Sequence, residues 1–166
     1  SAEKFLNMLL HDKKHESVFE HFSFSVRFIT NRGVSHEIVR HRLASYTQES
    51  TRYCNYSQDK FGNEITVIRP SYFLEDTEEY LAWCDAILNI EKNYFKLIEL
   101  KRKPQEAREV LPNSLKTEIV MTANLREWRH FFKLRSVPTA HPQMVELVRP
   151  LLEELKILLP IIFKDL

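Results

Sequence analysis

Apolar and polar residues alternate most cleanly in "FSFSVRFI", where Phe22, Phe24, Val26 and Phe28 take every second position and Ser23, Ser25 and Arg27 fall between them. A two-residue period sends successive side chains to opposite faces, so this segment reads as a half-buried strand. "SLKTEIVMTA" (114–123) reads as a second core strand, and "ITVIRP" (65–70) as a short one ended by Pro70. Elsewhere the period lengthens to that of a helix. Phe5, Leu6, Leu9 and Leu10 mark an amphipathic helix at the start, and "HESVFEHF" (15–22) a helical turn with Ser17 near its beginning. "NRG" (31–33) reads as a turn, after which Ser35 caps a helix running to Leu43.

Asp76 with Glu79 makes a capping box for a long helix to about Lys103, whose buried stripe is Tyr80, Trp83, Ile87, Ile90, Tyr94 and Leu97. Pro104 opens a short helix through Val110. Asn124 with Glu127 is a second cap-and-return pair, starting "NLREWRHFFKLR" with Leu125, Trp128 and Phe132 turned inward. A final helix follows His141 and is interrupted or kinked by Pro150. Residues 45–63 lack a sustained period and read as a long loop. There is no repeat and no linker. The expected class is helix-rich α+β, one domain over residues 1–166 packed on a small central sheet.

Composition changes this picture mainly by exclusion. Gly33 and Gly62 are the only glycines among 166 residues, so the several-glycine loops of Rossmann and Walker sites cannot form. A bound nucleotide would have to be held by side chains and helix N-termini. Lys and Arg number 24 against 23 Asp and Glu, a net charge of +1, which argues against a general nucleic-acid binder. No apolar run approaches bilayer thickness and no signal peptide is visible, so no membrane partner is expected. Cys54 and Cys84 lack CxxC spacing and read as free thiols, pointing to a cytoplasmic protein. Ser1 stands where an initiator methionine would, so the natural N-terminus is expected to be missing or replaced.

Local clusters survive the neutral total. Arg40, Arg42 and Arg52 form one, and Arg126, Arg129 and Arg135 another. Arg126 and His130 are four apart on the polar face of their helix, near its positive dipole end, a surface suited to phosphate. A metal is not expected. "HEIVRH" resembles a zinc-protease motif, but His36 and His41 are five apart, which turns them ~140° from each other around a helix against ~40° for a spacing of four. His11 and His15 have the right spacing and no evident further ligand. Ser50 has no GxSxG elbow.

"RHRLASYTQES" (40–50) holds Arg-His-Arg, seven residues and Ser, the RHRx7S signature of flavin-dependent thymidylate synthases. With "HESVFEH", "QEAREVLP" (105–112) and "NLREWRHFFKLR" in the same order, the chain resembles that family from roughly His15 to Gln143. The resemblance implies a fold of the thymidylate synthase-complementing type. It also implies methylation of dUMP to dTMP, with methylenetetrahydrofolate as carbon donor and NADPH as reductant through FAD, in a homotetramer with active sites at subunit interfaces. By matched position, Ser17, Glu20, Arg40, His41, Arg42, Gln48, Asn124, Leu125, Arg126 and His130 are implied at the flavin. Glu37, Arg40, Gln48, Glu49, Ser50, Thr51, Arg52, Arg108 and Arg135 are implied at dUMP. Glu37 stands where some family members carry Gln.

Arg135 and Ser50 are the implied catalytic residues. A fixed guanidinium beside the pyrimidine carbonyls would stabilise charge developing on the ring, while Ser50 would position the pyrimidine. The alternative is a non-catalytic nucleotide or nucleic-acid binding module, its arginines interleaved with Tyr46, Tyr53 and Tyr56 as stacking surfaces.

Overall fold

The computed structural model describes residues 1–58 and 62–166. A helix α1 (Ala2–Asn7) continues into a π-helical turn (Met8–Asp12), followed by a 3-10 turn (Glu16–Glu20), strand β1 (Ser23–Asn31) and helix α2 (Arg32–Ile38). Strand β2 (Ala44–Gln48), helix α3 (Glu78–Glu99), helix α4 (Pro104–Ala107) and a second 3-10 turn (Arg108–Val110) come next. Strand β3 (Lys116–Asn124) then leads to helices α5 (Leu125–Arg135), α6 (Pro142–Leu158) and α7 (Pro160–Phe163). The sheet is antiparallel with order β1-β3-β2. Its register is marked by Ser25 Oγ against Thr122 Oγ1 at 2.7 Å and by the Arg32 N–H donating to Leu115 O at 3.0 Å. This is the helix-rich α+β class expected from the pattern. No helix among the described residues is long and apolar enough to cross a membrane.

The chain divides into two compact units. The first comprises Ser1–Phe28, Glu37–Thr47 and Val120–Leu166, and the second Ile29–His36 and Gln48–Ile119. The core of the first is aromatic. Trp128 stacks on Phe24 at 4.9 Å and donates its indole N–H to Phe24 O, while Phe131, Phe132 and Phe163 close around it. Arg129 is buried in this unit, its guanidinium forked onto both Asp165 oxygens at 2.7 Å and also donating to Ile162 O. The second unit packs Cys54, Tyr56, Ile65, Ala107 and Leu115 around Tyr94 of α3.

Several local expectations are corrected. Strand β1 runs straight into α2 without a turn at 31–33, because Asn31 Oδ1 accepts the Val34 N–H and caps the helix itself. Ser35 is therefore inside the helix, buried and donating to Arg32 O, and α2 stops at Ile38 rather than Leu43. The expected loop contains β2, whose alternation is carried by Tyr46 and Gln48 in place of apolar residues. Residues 59–61 of that loop lie outside the described residues. "ITVIRP" is reduced to one antiparallel bridge, Val67 with Leu115.

Thr77, not Asp76, caps α3 by accepting the Tyr80 N–H, and of its expected stripe only Tyr94 is fully buried. Phe5 faces outward from α1. Helix α6 passes through Pro150, and the break falls at Leu159.

Candidate active site

In the first unit, α5 is the element on which the polar residues are built. Asn124 Oδ1 accepts the Glu127 N–H at 2.9 Å, fixing the helix start, and the buried Leu125, Trp128 and Phe132 set the helix rotation. That rotation leaves Arg126 and His130 exposed on the opposite face, as their spacing predicts. A cleft of about 620 Å³ opens there, lined by Asn124, Arg126, His130 and Lys133 of this segment, with Glu16, Glu20 and Leu43. Arg126 is not a bare cation. Its NH1 donates to Glu20 at 2.5 Å and its Nε lies 3.4 Å from Glu16, two contacts that raise its already high pKa. Ser17 is exposed on the 3-10 turn that carries both acids. Leu125 instead lines a separate, mainly apolar cavity of about 820 Å³ with Phe19, Phe22 and Leu158.

Glu127 does not complete the expected return cap. Its carboxylate is buried, with Oε1 3.4 Å from His41 Nδ1. His41 Nε2 in turn accepts the Nε–H of Arg135 at 3.0 Å, joining positions 94 residues apart. Arg135 NH1 donates to Glu37 Oε2 at 2.7 Å and NH2 to the Glu37 carbonyl at 3.2 Å. Three of the five guanidinium N–H groups are so engaged, and two are left for a ligand. Burial first, then the charges of Arg135 and His130, lower the His41 pKa to about 4. Tyr46 braces the backbone here by donating to the carbonyls of Ile38 and His41, and its hydroxyl is pushed up to about 12 by burial and by Glu127. Arg40 and Arg42, beside this ring in sequence, are exposed and have no carboxylate partner among the described residues.

The second unit holds a smaller pocket of about 330 Å³, lined by Arg32, His36, Thr51, Arg108 and Glu109, with Pro112 and Leu115 behind. Arg108 NH1 donates to Thr51 Oγ1 at 3.4 Å, and Arg32 NH1 to the Glu49 carbonyl at 3.1 Å. Arg32 and His36 were not among the sequence candidates. Their spacing of four along α2 was the available signal, hidden by the expectation of a turn at Arg32. Gln48 commits its amide N–H groups to Ser35 Oγ and Thr117 Oγ1. The Glu49 carboxylate meets Lys116 at 3.6 Å and accepts from Cys54 Sγ. Ser50 Oγ accepts the Arg52 N–H at 3.4 Å, and the Arg52 guanidinium lies over the Tyr53 ring.

Within each unit, then, side chains from distant segments converge. A sequence profile of the family described as thymidylate synthase complementing protein matches residues 1–161. The chain is similar to the flavin-dependent thymidylate synthase of Pyrococcus abyssi, 37% identical over 143 residues covering 85% of this chain and 57% of the relative. The Pyrococcus horikoshii synthase is 40% identical over 143 residues, 85% of this chain and 58% of the relative. The Clostridium tetani synthase is 34% identical over 180 residues, 98% of this chain and 70% of the relative. The chain thus spans less than two thirds of the length of its Pyrococcus relatives. With the profile covering nearly every residue and the Clostridium relative matched over most of both chains, this chain belongs to the thymidylate synthase complementing protein family.

Proposed function

We propose that the chain is a flavin-dependent thymidylate synthase domain that methylates dUMP to dTMP, taking the carbon from methylenetetrahydrofolate and reducing equivalents from NADPH. The observation that carries this reading is the meeting of Arg135 with His41 of the Arg-His-Arg segment at 3.0 Å. The contact fixes a guanidinium whose two open N–H donors suit the edge of a pyrimidine.

The α5 cleft fits a flavin dinucleotide. It offers Arg126, Lys133 and His130 for phosphate oxygens and Asn124 for a polar edge, and Leu43 ties it to the chain just after Arg42. Ser17, Glu20, Arg40, His41, Arg42, Gln48 and Leu125 complete the proposed flavin set. A bound flavin would supply the passage of reducing equivalents from NADPH. For dUMP, Arg108, Thr51 and Arg32 form a phosphate-binding set, because two guanidinium groups face one pocket with a single exposed acid, Glu109, 4.0 Å from Arg108. Glu37, Arg40, Gln48, Glu49, Ser50 and Arg52 are the remaining proposed substrate contacts. Arg135 stabilises negative charge on the pyrimidine as C5 becomes nucleophilic. The two units act as one domain, and the sites form at subunit interfaces of a cytoplasmic homotetramer.

The test is direct. Purified chain supplied with FAD, NADPH, methylenetetrahydrofolate and dUMP should form dTMP, and omission of any one should abolish it. A preparation that binds FAD and dUMP and still forms no dTMP would reject the catalytic reading.

A further inference from the structure

We propose that Glu127 is a positioning residue for Arg135, acting through His41. Its carboxylate, 3.4 Å from Nδ1 of the imidazole, favours the tautomer that carries its proton on that nitrogen and so keeps Nε2 free to accept from the guanidinium. The inference deepens the proposed function and rests on the role given there to Arg135.

The argument begins with what Arg135 cannot do. A guanidinium has N–H donors and no acceptor, so the 3.0 Å contact from Arg135 Nε requires a lone pair on His41 Nε2. A neutral imidazole with Nε2 unprotonated carries its proton on Nδ1. That nitrogen is buried, on a side chain only 2% exposed, and has no hydrogen-bond partner of standard geometry among the described residues; the Glu127 Oε1 lies 3.4 Å from it, an ion-pair distance that a small turn of either side chain would convert to a hydrogen bond. The depressed His41 pKa keeps the ring neutral near pH 7, as this arrangement needs. The ring is also fenced in. Phe131 stands edge-on at 4.9 Å and His130 at 5.7 Å between centroids, so the imidazole is not free to exchange its two nitrogens by turning over.

Without Glu127, the Nδ1 proton would have no buried acceptor, and the tautomer would move to Nε2–H. Two N–H groups would then oppose each other where His41 and Arg135 now meet, and Glu37 alone would hold the guanidinium. The Asn124 cap explains why Glu127 is available for this task, since Asn124 already satisfies the helix terminus. The same tautomer decides another reading of the cluster. His41, Glu127 and His130 place ligand atoms within 4.8 Å of one another, the geometry of a metal trio. A cation would need the Nδ1 lone pair that the proton occupies, so the trio is assigned to hydrogen bonding.

The experiment compares the full chain with E127L and E127Q, reading the His41 tautomer by ¹⁵N NMR at pH 7 and dUMP turnover in parallel. Wild type should show the Nδ1–H form. E127L should shift to Nε2–H and lose kcat on the order of 10²-fold, the cost of a misplaced charge-stabilising group, with little change in KM for dUMP. E127Q, whose amide oxygen still accepts, should keep the Nδ1–H form and recover most of that loss. A wild-type Nε2–H tautomer overturns the proposal, as does an E127L chain with unaltered tautomer and kcat. Should E127L fail to fold, the wild-type tautomer and the E127Q rescue decide. A wild-type chain with the Nδ1–H form that makes no dTMP would remove the role given to Arg135, and the positioning role with it, while leaving the Glu127 contact standing.

Discussion

In the cleft at the start of α5, Arg126 is flanked by Glu16 and Glu20, whereas in the pocket of the second unit Arg32 and Arg108 meet a carbonyl and a threonine hydroxyl. The first cavity is lined by as many acids as cations, counting Glu16, Glu20 and Glu127 against Arg126, Arg129 and Lys133, and Arg129 is already spent on Asp165. The second has two arginines against Glu109. A cation whose charge is shared with neighbouring carboxylates gains less from an arriving anion than one satisfied by neutral groups, because the newcomer must displace or oppose the carboxylates. Of the two, the second pocket is the better electrostatic match for a compact dianionic phosphate. The first suits a larger ligand that gains from shape and from several weaker contacts.

The largest expected effect lies with neither set but with Arg135. Arg135→Ala should lower kcat for dTMP formation about 10²- to 10³-fold, the usual loss when one preorganised donor to developing charge is removed. Flavin absorbance of the purified variant should stay near that of wild type. Next, Arg108→Ala should raise KM for dUMP about 10- to 100-fold, matching a charged hydrogen bond of roughly 1.5–3 kcal/mol, with FAD affinity unchanged. Arg126→Ala should do the reverse and less strongly, weakening FAD about tenfold or less because Glu16 and Glu20 already draw on that charge. Equal losses of dUMP and FAD in both variants would dissolve the distinction between the cavities.

These expectations depend on features that the sequence disclosed unevenly. The apolar alternation of β1 and β3 and the Asn124 cap of α5 were legible because burial and capping act through residues close in sequence. Strand β2 was not, since Tyr46 and Gln48 turn inward to make hydrogen bonds, and a search for apolar period passes over them. Arg129 stood in the same cluster as Arg126 and Arg135, yet its partner lies 36 residues away, so its structural role had no local trace. The contact of His41 with Arg135 is also long-range. The resemblance named both residues without saying that they touch.

Two stability changes sharpen the comparison between the units further. Asp165→Asn, in the first, leaves the buried Arg129 without its charged partner. It should cost about 1–2 kcal/mol in urea unfolding, below the full penalty for breaking a buried pair because Asp165 is 38% exposed and screened by solvent. The hydrogen bonds from Arg129 hold the Asp165 carboxyl down to about 2, from 3.8, against the opposing effect of burial. A depressed carboxylate stabilises above its unfolded pKa, so this contribution should be complete above about pH 5 and fade as pH falls toward 2. The Asn variant should lack that part of the pH dependence. Smaller is Thr77→Ala in the second unit, which removes the α3 cap and should cost about 1 kcal/mol or less in thermal unfolding with dUMP KM unchanged. Glu79→Ala should cost less still, since Thr77 and not the Asp76–Glu79 pair caps the helix.

The most direct test of the central claim, that one chain carries separate flavin and nucleotide sites, is an absorbance titration of FAD-loaded protein with dUMP. Wild type should bind FAD and show a saturable perturbation of the flavin bands by dUMP, and Arg108→Ala should keep the flavin while shifting that saturation to higher dUMP. A wild-type chain that takes up no FAD, or whose flavin spectrum is indifferent to dUMP at any concentration, would contradict the account.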